Sequence, residues 1–228
     1  ELGLDRIQHK LESMRADTSH GDPRIFVATR SSAPGVRQGF ENEYIYTIKS
    51  NGEIELTHHV WPTGKFQIHY LPKIGLQLQC PVEFNQLTWY GRGPFETYPD
   101  RKSAARMNGY SSTVEKQYVP YIVPQDHGNK TDVRFAVLHN TAGLGLAVRP
   151  EQPLNISVTP YSNIDRALYA WQLQKSGTIF FNIDFRVSGV GGTPVNARHR
   201  YRTLPQEYEY TIVLSPGEIQ DFARAIQD

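Results

Sequence analysis

The sequence predicts an all-β protein built as a sandwich or barrel, and three observations support this class. Apolar and polar residues alternate with a period of two along most of the chain. Glycine, proline, asparagine and serine separate the alternating runs, as they do between short strands. Helical periodicity is confined to the two ends. With 228 residues, the chain fits one large all-β domain over residues 1–228 better than two small ones.

The first half of the chain contains one predicted helix and three clear strands. Apolar residues at helical spacing predict a short amphipathic helix over residues ~3–15. Strands are predicted at residues 25–29, 44–48 and 54–58. Asn51-Gly52 separates the last two, and both residues accept positive φ, so a tight hairpin is expected there.

The second half predicts further strands and one long irregular stretch. These strands are expected to begin near Phe66, Gly75, Val133, Gly145, Leu154, Thr178 and Tyr208. Residues ~91–131 hold little regular pattern, and a loop of that length is usually functional or folded on itself. Residues 218–227, after Pro216-Gly217, are expected to form a short helix.

Composition excludes several classes of function. The net charge is +1, from 24 basic and 23 acidic residues, so neither a nucleic-acid partner nor a membrane partner is expected. No apolar run approaches the ~18 residues of a transmembrane helix. Cys80 is the single cysteine and is expected to be a small buried hydrophobe. The compartment stays open between cytoplasm and periplasm.

Eight histidines invite a metal site, but their spacing does not support one. His58 and His59 are adjacent on a predicted strand and therefore point to opposite faces. His127, beside Asp126 and Asn129, is a better candidate, although a hydrogen bond that orders its loop is the favoured interpretation. No metal is predicted.

The run from Trp89 to Lys102 is the most informative stretch of the chain. It combines aromatics, glycines, prolines and two carboxylates with basic residues, a mixture that no helix or central strand tolerates. Glu96 and Asp100 raise the possibility of a glycosidase carboxylate pair. Because Arg92, Arg101 and Lys102 lie close in sequence, the carboxylates are expected to stay ionised in a structural network.

Arginines and aromatics alternate over residues 198–202. A nucleic-acid groove looks similar, but the near-zero net charge favours a solvated rim loop. A loop that contacts a sugar is the third possibility.

Four segments together resemble one known family. They are Trp89 to Lys102 (GPxExYxDR), Tyr121 to Arg134 (PQExGN(K/R)xxVR), Phe181 to Asp184 followed by Gly189 to Gly192 (NID…GxGG), and Leu71 to Gly75 (LPRxG). Their order and spacing resemble the C-terminal, small-chain domain of the large bacterial β-galactosidases of glycoside hydrolase family two. The resemblance covers nearly the whole chain.

The resemblance implies a β-supersandwich similar to galactose mutarotase, which leans against a catalytic TIM barrel. The family's FWRxPTDND strand is expected just before Gly3, so the domain is expected to lack its first strand. In the family the catalytic glutamates lie on the barrel, and no catalytic residue is expected in this chain. No cofactor is expected either, any magnesium or sodium belonging to the family's other domains.

The resemblance also assigns roles to individual residues. The family carries a tryptophan after the GxGG turn that lines the outer substrate subsite, and Asn196 falls closest to its place here. Asn196, Arg198 and His199 are the candidate substrate-rim residues. The motif residues with an expected structural role are Trp89, Gly91, Gly93, Pro94, Glu96, Tyr98, Asp100, Arg101, Gln125 and Asn129. The implied partners are the barrel and other domains of a parent enzyme, a galactoside substrate and further copies in a homo-oligomer.

Two other functions stay open from the sequence. One is a free-standing mutarotase-like epimerase, which would use His127, Asp126 and Glu96 as its acid and base groups. The other is an independent carbohydrate-binding module.

Overall fold

The structure is a computed structural model that describes residues 3–19, 21–66, 68, 70–192 and 195–222. These residues form an all-β protein, as predicted, with 3-10 turns and one four-residue helix, α1 (Ile219–Phe222). The strands are β1 (Gln8–Asp17), β2 (Arg24–Ser32), β3 (Gly39–Ile48), β4 (Ile54–Thr63), β5 (Lys73–Pro81), β6 (Gln86–Gly93), β7 (Arg106–Thr113), β8 (Lys130–Val133), β9 (Phe135–His139), β10 (Leu144–Pro150), β11 (Leu154–Tyr161), β12 (Lys175–Val187) and β13 (Tyr208–Glu218).

The chain divides into two compact units. Unit 1 comprises residues 1–71 and 204–215, and unit 2 comprises residues 72–203 and 216–228. The prediction of one domain over residues 1–228 stays a prediction.

Unit 1 is a sheet of antiparallel strands in the order β1-β2-β3-β4-β13. The predicted hairpin is confirmed: Ile48 pairs with Ile54, and the amide of Gly52 donates to the carbonyl of Lys49 at 3.0 Å. Gly52 has φ +85°, a conformation that the Asn-Gly sequence accepts.

The two faces of the unit 1 sheet differ in character. On β4, Leu56, His58 and Val60 are each 3% exposed and form part of the core. Their neighbours Thr57, His59 and Trp61 point to the opposite face, which is only half-buried. The prediction that His58 and His59 face opposite ways is therefore confirmed.

The predicted helix over residues ~3–15 is wrong. A 3-10 turn covers Leu4–Arg6, and the following residues form β1, which pairs antiparallel with β2. Leu11 and Met14 remain 57% and 67% exposed. Their helical spacing buries nothing, and pairing with β2 decides the conformation.

Unit 2 contains two sets of paired strands. One has the order β10-β9-β6-β7, and the other is a four-stranded sheet in the order β5-β12-β11-β8. Phe135 and Val137 on β9 pack with Ala147 on β10 in a cluster shielded from water. Phe181 and Ile183 on β12 are fully buried. These apolar strands hold the loops that carry the sequence motifs.

Three other predictions need correction or qualification. Residues ~91–131 are less irregular than expected, because β7 pairs with β6 along its length. Phe66 begins no strand; its ring packs against Phe40, with centroids 5.2 Å apart. The predicted C-terminal helix is described only as α1, since its later residues lie outside the described part.

The remaining predicted strands are present, and Cys80 is buried as expected. In the part of the chain that the structure describes, no helix is long and apolar enough to cross a membrane.

Candidate functional site

The expectation that no central strand tolerates the signature loop (Trp89–Lys102) is wrong for its first five residues, which lie in β6 between β7 and β9. From Pro94 onward the segment is irregular and is fixed by Glu96. The Glu96 carboxylate accepts hydrogen bonds from the amide of Gly128 at 2.9 Å, from the Tyr98 hydroxyl at 3.4 Å and from the Tyr121 hydroxyl. Burial and these contacts raise the pKa of Tyr121 to about 12 and raise that of Tyr98 further. Glu96 thus joins the signature loop to the segment that contains Gly128.

Asp100 joins the signature loop to a second segment, the rim loop (Ser188–Arg202). Its carboxylate accepts hydrogen bonds from the amides of Val190 at 3.1 Å and Gly191 at 2.8 Å. Arg101 donates to the carbonyl of Gly191 at 2.9 Å. A side chain at Gly189 would place its Cβ 2.6 Å from Cγ of Asp100, so the close approach requires glycine.

The two signature carboxylates therefore bind different backbone segments, and neither resembles half of a catalytic pair. Each carboxylate accepts from backbone amides, and Glu96 also accepts from two tyrosine hydroxyls, an arrangement that suits bracing more than proton transfer. These contacts support a structural role for Glu96, Tyr98, Asp100 and Arg101, and that role stays a prediction.

Arg92 and Lys102 are expected to pair with the carboxylates of the signature loop; this is wrong, because both pair with Asp132. Its carboxylate accepts from Arg92 Nε at 2.5 Å and from Lys102 Nζ at 2.6 Å. Burial alone would raise the pKa of Asp132, but the hydrogen bonds from Lys102 and Arg92 hold it below its usual value. Asp132 has φ +56°, a left-handed conformation. The signal in the sequence was the excess of cations in the loop, which required a carboxylate from elsewhere.

The Thr97 backbone is held by Asn129. The amide of Thr97 donates to the carbonyl of Asn129 at 2.7 Å, and Asn129 Nδ2 donates to the Thr97 carbonyl at 2.8 Å. His127 Nδ1 contacts the carbonyl of Gln125 at 2.9 Å, which is the loop-ordering hydrogen bond expected for this histidine. The Gln125 side chain is exposed.

Trp89 and Lys130 form the buried base of the signature loop. Trp89 is 1% exposed, and its indole N–H donates to the carbonyl of Arg92 at 3.1 Å. Lys130 is equally buried, and its Nζ lies 5.3 Å from the Trp89 ring and donates to the Gly128 carbonyl at 3.0 Å. Burial lowers the pKa of Lys130 to about 8, against the opposing effect of Glu96. Lys130 occupies the K/R position of the PQExGN(K/R)xxVR segment, but its burial beside Trp89 does not follow from that segment.

The other two glycines of the signature allow close packing around Trp89. A Cβ at Gly91 would lie 2.9 Å from Cγ2 of Val133, and one at Gly93 would lie 2.8 Å from the ring of Tyr110. The missing side chains of Gly91 and Gly93 therefore let the end of β6 pack closely against its neighbours. The peptide bond between Gly93 and Pro94 is cis.

The LPRxG and NID segments meet in a second charged cluster, in which Asp184 is buried, Lys73 is half-buried and Asp126 is exposed. Lys73 Nζ lies 3.5 Å from Asp184 Oδ2 and 3.3 Å from Asp126 Oδ2. Burial raises the pKa of Asp184 to about 7, partly opposed by the charge on Lys73. Burial would lower the pKa of Lys73, but the carboxylates of Asp184 and Asp126 outweigh it and raise that pKa. A Cβ at Gly75 would lie 2.4 Å from Asp184 Oδ1, so the motif glycine makes room for this carboxylate.

The predicted rim residues lie on the rim loop, beside the signature loop. An open depression of about 340 Å³, the rim depression, is lined by Asp100, Gly191, Gly192, Val195, Asn196, Arg198, Arg200 and Tyr201. Asn196 and Arg198 thus share one depression, whereas His199 is exposed on a 3-10 turn and does not line it. Thr193 and Pro194, also in this loop, lie outside the described residues.

The rim loop is well braced at its base. The Gly189 amide donates to the carbonyl of Tyr201 at 2.7 Å, and the Arg202 guanidinium donates to the carbonyl of Ala197 at 2.7 Å. The Arg200 guanidinium lies 4.6 Å from the centre of the Tyr201 ring. The rim depression therefore presents two arginines, an amide and a phenol, groups that hydrogen-bond and stack on a hydroxylated ligand. Within the described residues, no group of three or more metal-ligating side chains is positioned to hold an ion.

Comparison with known proteins identifies the class. Residues 2–214 match the family described as Beta galactosidase small chain. The chain therefore belongs to the β-galactosidase small-chain family.

Several β-galactosidases are among its relatives. The chain is 34% identical to the β-galactosidase of Priestia megaterium over 64% of its own length, and 30% identical to that of Pseudoalteromonas haloplanktis over 94%. The enzyme of Kluyveromyces lactis is 29% identical over 84%. The chain spans 14–20% of the length of these relatives.

A solved structure, a GalM/aldose epimerase homologue from C. elegans, aligns with 90% of this chain and 68% of its own at a TM-score of 0.46 and 9% identity. That likeness is too distant to bear on function.

Proposed function

We propose that this chain is the small-chain domain of a β-galactosidase and that it completes the rim of the substrate site formed with a catalytic barrel in the parent enzyme. The observation that carries the proposal is the attachment of the rim loop to the signature loop through Asp100 and Arg101. This bracing holds the side chains of Asn196 and Arg198 at an open depression. In this role the chain supplies no acid, base or nucleophile.

The rim would recognise the substrate without the aromatic platform that the resemblance implies. Asn196 offers one acceptor and two donors, and Arg198 offers a planar donor fork. Both groups hydrogen-bond sugar hydroxyls, and the guanidinium also lies flat on a ring face. The expected consequence is an outer subsite that depends on hydrogen bonds more than on stacking.

The exposed apolar side chains of unit 2 support contact with further domains of the parent. Ile122 and Trp171 are 94% and 79% exposed, and Leu168 and Tyr169 are also exposed. Exposed apolar groups that lie close together, as the rings of Tyr169 and Trp171 do, commonly mark interaction surfaces. We propose that these residues face the other domains, and that the parent assembles as a homo-oligomer.

The loop that carries Trp171 is prepared for such a contact. Asn163 Nδ2 donates to the carbonyl of Gln172 at 2.8 Å, and Gln172 Oε1 accepts from the amides of Leu168 and Tyr169. The rings of Tyr169 and Trp171 are nearly parallel, at 8°. A loop ordered in this way loses little conformational entropy when it binds.

A chimaera tests the proposal. The matching segment of the Pseudoalteromonas haloplanktis enzyme would be replaced by this chain, and hydrolysis of a chromogenic β-galactoside measured. We expect activity in the chimaera and none in the isolated chain. Arg198→Ala is expected to raise KM about tenfold with a smaller change in kcat, because the lost contact binds substrate outside the reacting bond.

Arg24→Ala is the matched control, since Arg24 is an exposed arginine at the start of β2 and belongs to unit 1, whereas the rim loop belongs to unit 2. An assembled chimaera that does not hydrolyse the substrate would contradict the small-chain role. Equal KM values for the Arg198 and Arg24 variants would contradict the rim role alone.

A further inference from the structure

Unit 1 carries an open depression of about 370 Å³ on the half-buried face of its sheet, here called the Trp61 depression. The side chains that define it are Ala28, Trp61, Arg30, Glu12, Glu41 and Glu43. A volume of this size falls in the range of about 300–1,000 Å³ typical of small-molecule sites.

The strand register explains why a depression forms here. Arg30 pairs with Glu41, and Glu41 pairs with Trp61, so these three side chains make one row across the sheet. In the next row Ala28 pairs with Glu43. The small side chain of Ala28 leaves a gap among larger neighbours, and this gap is the floor of the depression.

A β-bulge adds the remaining wall. In β1, Leu11 pairs with Thr29 and Ser13 pairs with Ala28, which leaves Glu12 as an extra, unpaired residue. Bulges re-aim side chains and are common beside binding sites. Here the bulge places Glu12 among the residues that line the depression.

The Trp61 ring is held in position. It packs against His59, with centroids 4.7 Å apart and planes at 43°. Val60, the neighbour of Trp61 on the strand, is 3% exposed and anchors the backbone in the core. The indole is thus a fixed, half-buried wall of a polar depression.

We propose that the Trp61 depression binds a neutral sugar. A pyranose has an apolar C–H face that packs on an indole and a rim of hydroxyls, each of which donates and accepts hydrogen bonds. The depression supplies acceptors from Glu12, Glu41 and Glu43, and donors from Arg30. This combination of a fixed ring with both kinds of polar group matches both parts of a sugar.

Charge narrows the class of ligand. The lining holds three carboxylates and one guanidinium, and Lys10 pairs with Glu12 at 3.0 Å beside it. The sum is still one negative charge, which disfavours anionic sugars and phosphates. Arg30, paired with Glu41 at 3.5 Å, stands in the wall and disfavours a simple cation. An uncharged sugar is repelled neither by the carboxylates nor by Arg30. The proposal does not depend on the rim loop.

The three tryptophans of the chain allow a direct measurement. Trp89 is 1% exposed, whereas Trp171 is 79% exposed. In a Trp171→Phe background, a change in intrinsic fluorescence on adding sugar reports on Trp61. We expect a saturable change with at least one of lactose, cellobiose and maltose, with Kd in the millimolar range. Glucuronate and choline are expected to give no saturable change.

Two variants locate the site. Ala28→Phe, in the Trp171→Phe background, fills the floor and is expected to weaken binding at least tenfold. Trp61→Ala is followed by saturation-transfer NMR of the sugar and is expected to abolish the signal, while Trp171→Ala keeps it. Thermal unfolding and circular dichroism establish that each variant is folded.

Three results would overturn the proposal. They are the absence of a saturable response to all three disaccharides, undiminished binding in folded Trp61→Ala, and tighter binding of choline or glucuronate than of any neutral sugar. These outcomes leave the rim proposal untouched, since the latter is measured through KM in the chimaera.

Discussion

At the residue scale, Asp132 is the ion-pair partner of the signature-loop cations, a partner that their positions in the sequence do not reveal. Two cations of the signature loop, Arg92 and Lys102, point at this single carboxylate. The backbone of Asp132 is left-handed, a conformation that aspartate and asparagine tolerate better than most residues. Its identity is thus constrained by charge and by backbone conformation together.

Substitutions of Asp132 separate these two constraints. Asp132→Asn keeps a side chain suited to positive φ but loses the charge, and is expected to lower the free energy of unfolding by about 1 kcal/mol, since the pairs are partly exposed. Asp132→Ala loses the charge and adds backbone strain, and is expected to cost about 2–3 kcal/mol. Urea unfolding measures both.

Asp165→Ala provides the comparison, because its ion pair with Arg166 is exposed and should be worth less than about 0.5 kcal/mol. Equal stability of Asp132→Asn and Asp132→Ala would show that the backbone conformation carries no cost.

At the element scale, the signature loop and the rim loop are held together by contacts so close that only glycine fits. Gly189 is the clearest instance, since it lies against the Asp100 carboxylate. Gly189→Ala is expected to push Asp100 away from the amides of Val190 and Gly191 and to cost about 2 kcal/mol. Limited proteolysis of the rim loop, together with urea unfolding, measures the effect.

Gly177→Ala is the matched control. Gly177 lies in β12, and a Cβ there would meet no atom within 4 Å, so alanine is expected to be neutral or slightly stabilising. If Gly189→Ala left the rim loop as resistant to protease as Gly177→Ala does, the Asp100 contact would not be what holds the loop.

The elements also show what sequence reasoning reaches. Apart from the strand expected near Phe66, the predicted strands of the second half and the Asn-Gly hairpin follow from local patterns and are present. The helix predicted for the amino-terminal segment is wrong, because the apolar spacing there is helical while pairing with β2 sets the conformation. Likewise β7 was missed, since its polar residues leave it exposed and its pairing with β6 is a non-local contact.

The same limit applies to the sites. The signature loop and the rim residues Asn196 and Arg198 could be selected from motifs. The partner of Arg92 and Lys102 could not, because Asp132 lies 40 residues from Arg92 and meets it only in the fold. The Trp61 depression could not be predicted from the sequence either, since it depends on the register of the four strands β1 to β4.

At the scale of the whole molecule, the two units are expected to respond to pH in opposite directions. Burial, with a smaller effect of His59, lowers the pKa of His58 in unit 1 to about 4. A histidine with a depressed pKa must charge as the pH falls, so unit 1 loses stability as the pH drops from about 6.5 to 4. Asp184 in unit 2 has a raised pKa, from 3.8 to about 7. Its buried carboxyl must ionise as the pH rises through that range, so unit 2 loses stability as the pH rises from about 4 to 7.

Hydrogen exchange between pH 4.5 and 7 measures this, after correction for intrinsic rates. Amides of unit 1 are expected to be better protected at pH 7, and those of unit 2 at pH 4.5. The largest change in the free energy of unfolding that these pKa differences allow is about 3 kcal/mol for His58 and about 4 kcal/mol for Asp184. His58→Gln should flatten the first trend, since glutamine keeps polar contact with Tyr210 and Asn42 without titrating. Asp184→Asn should flatten the second. If protection changed with pH in the same direction in both units, His58 and Asp184 would not be the groups that set their pH dependence.

The bulge in β1 has a consequence for how copies of this chain avoid each other. β1 ends the strand order of its sheet, and a straight edge strand is a template on which another chain can add. The extra residue at Glu12 interrupts the regular spacing of backbone donors and acceptors along that edge, and Lys10 and Arg15 place charge on either side of it. Deleting Glu12 would restore the spacing and open the strand to cross-β growth. We therefore expect the one extra residue of β1, Glu12, to protect this edge as well as to line the depression.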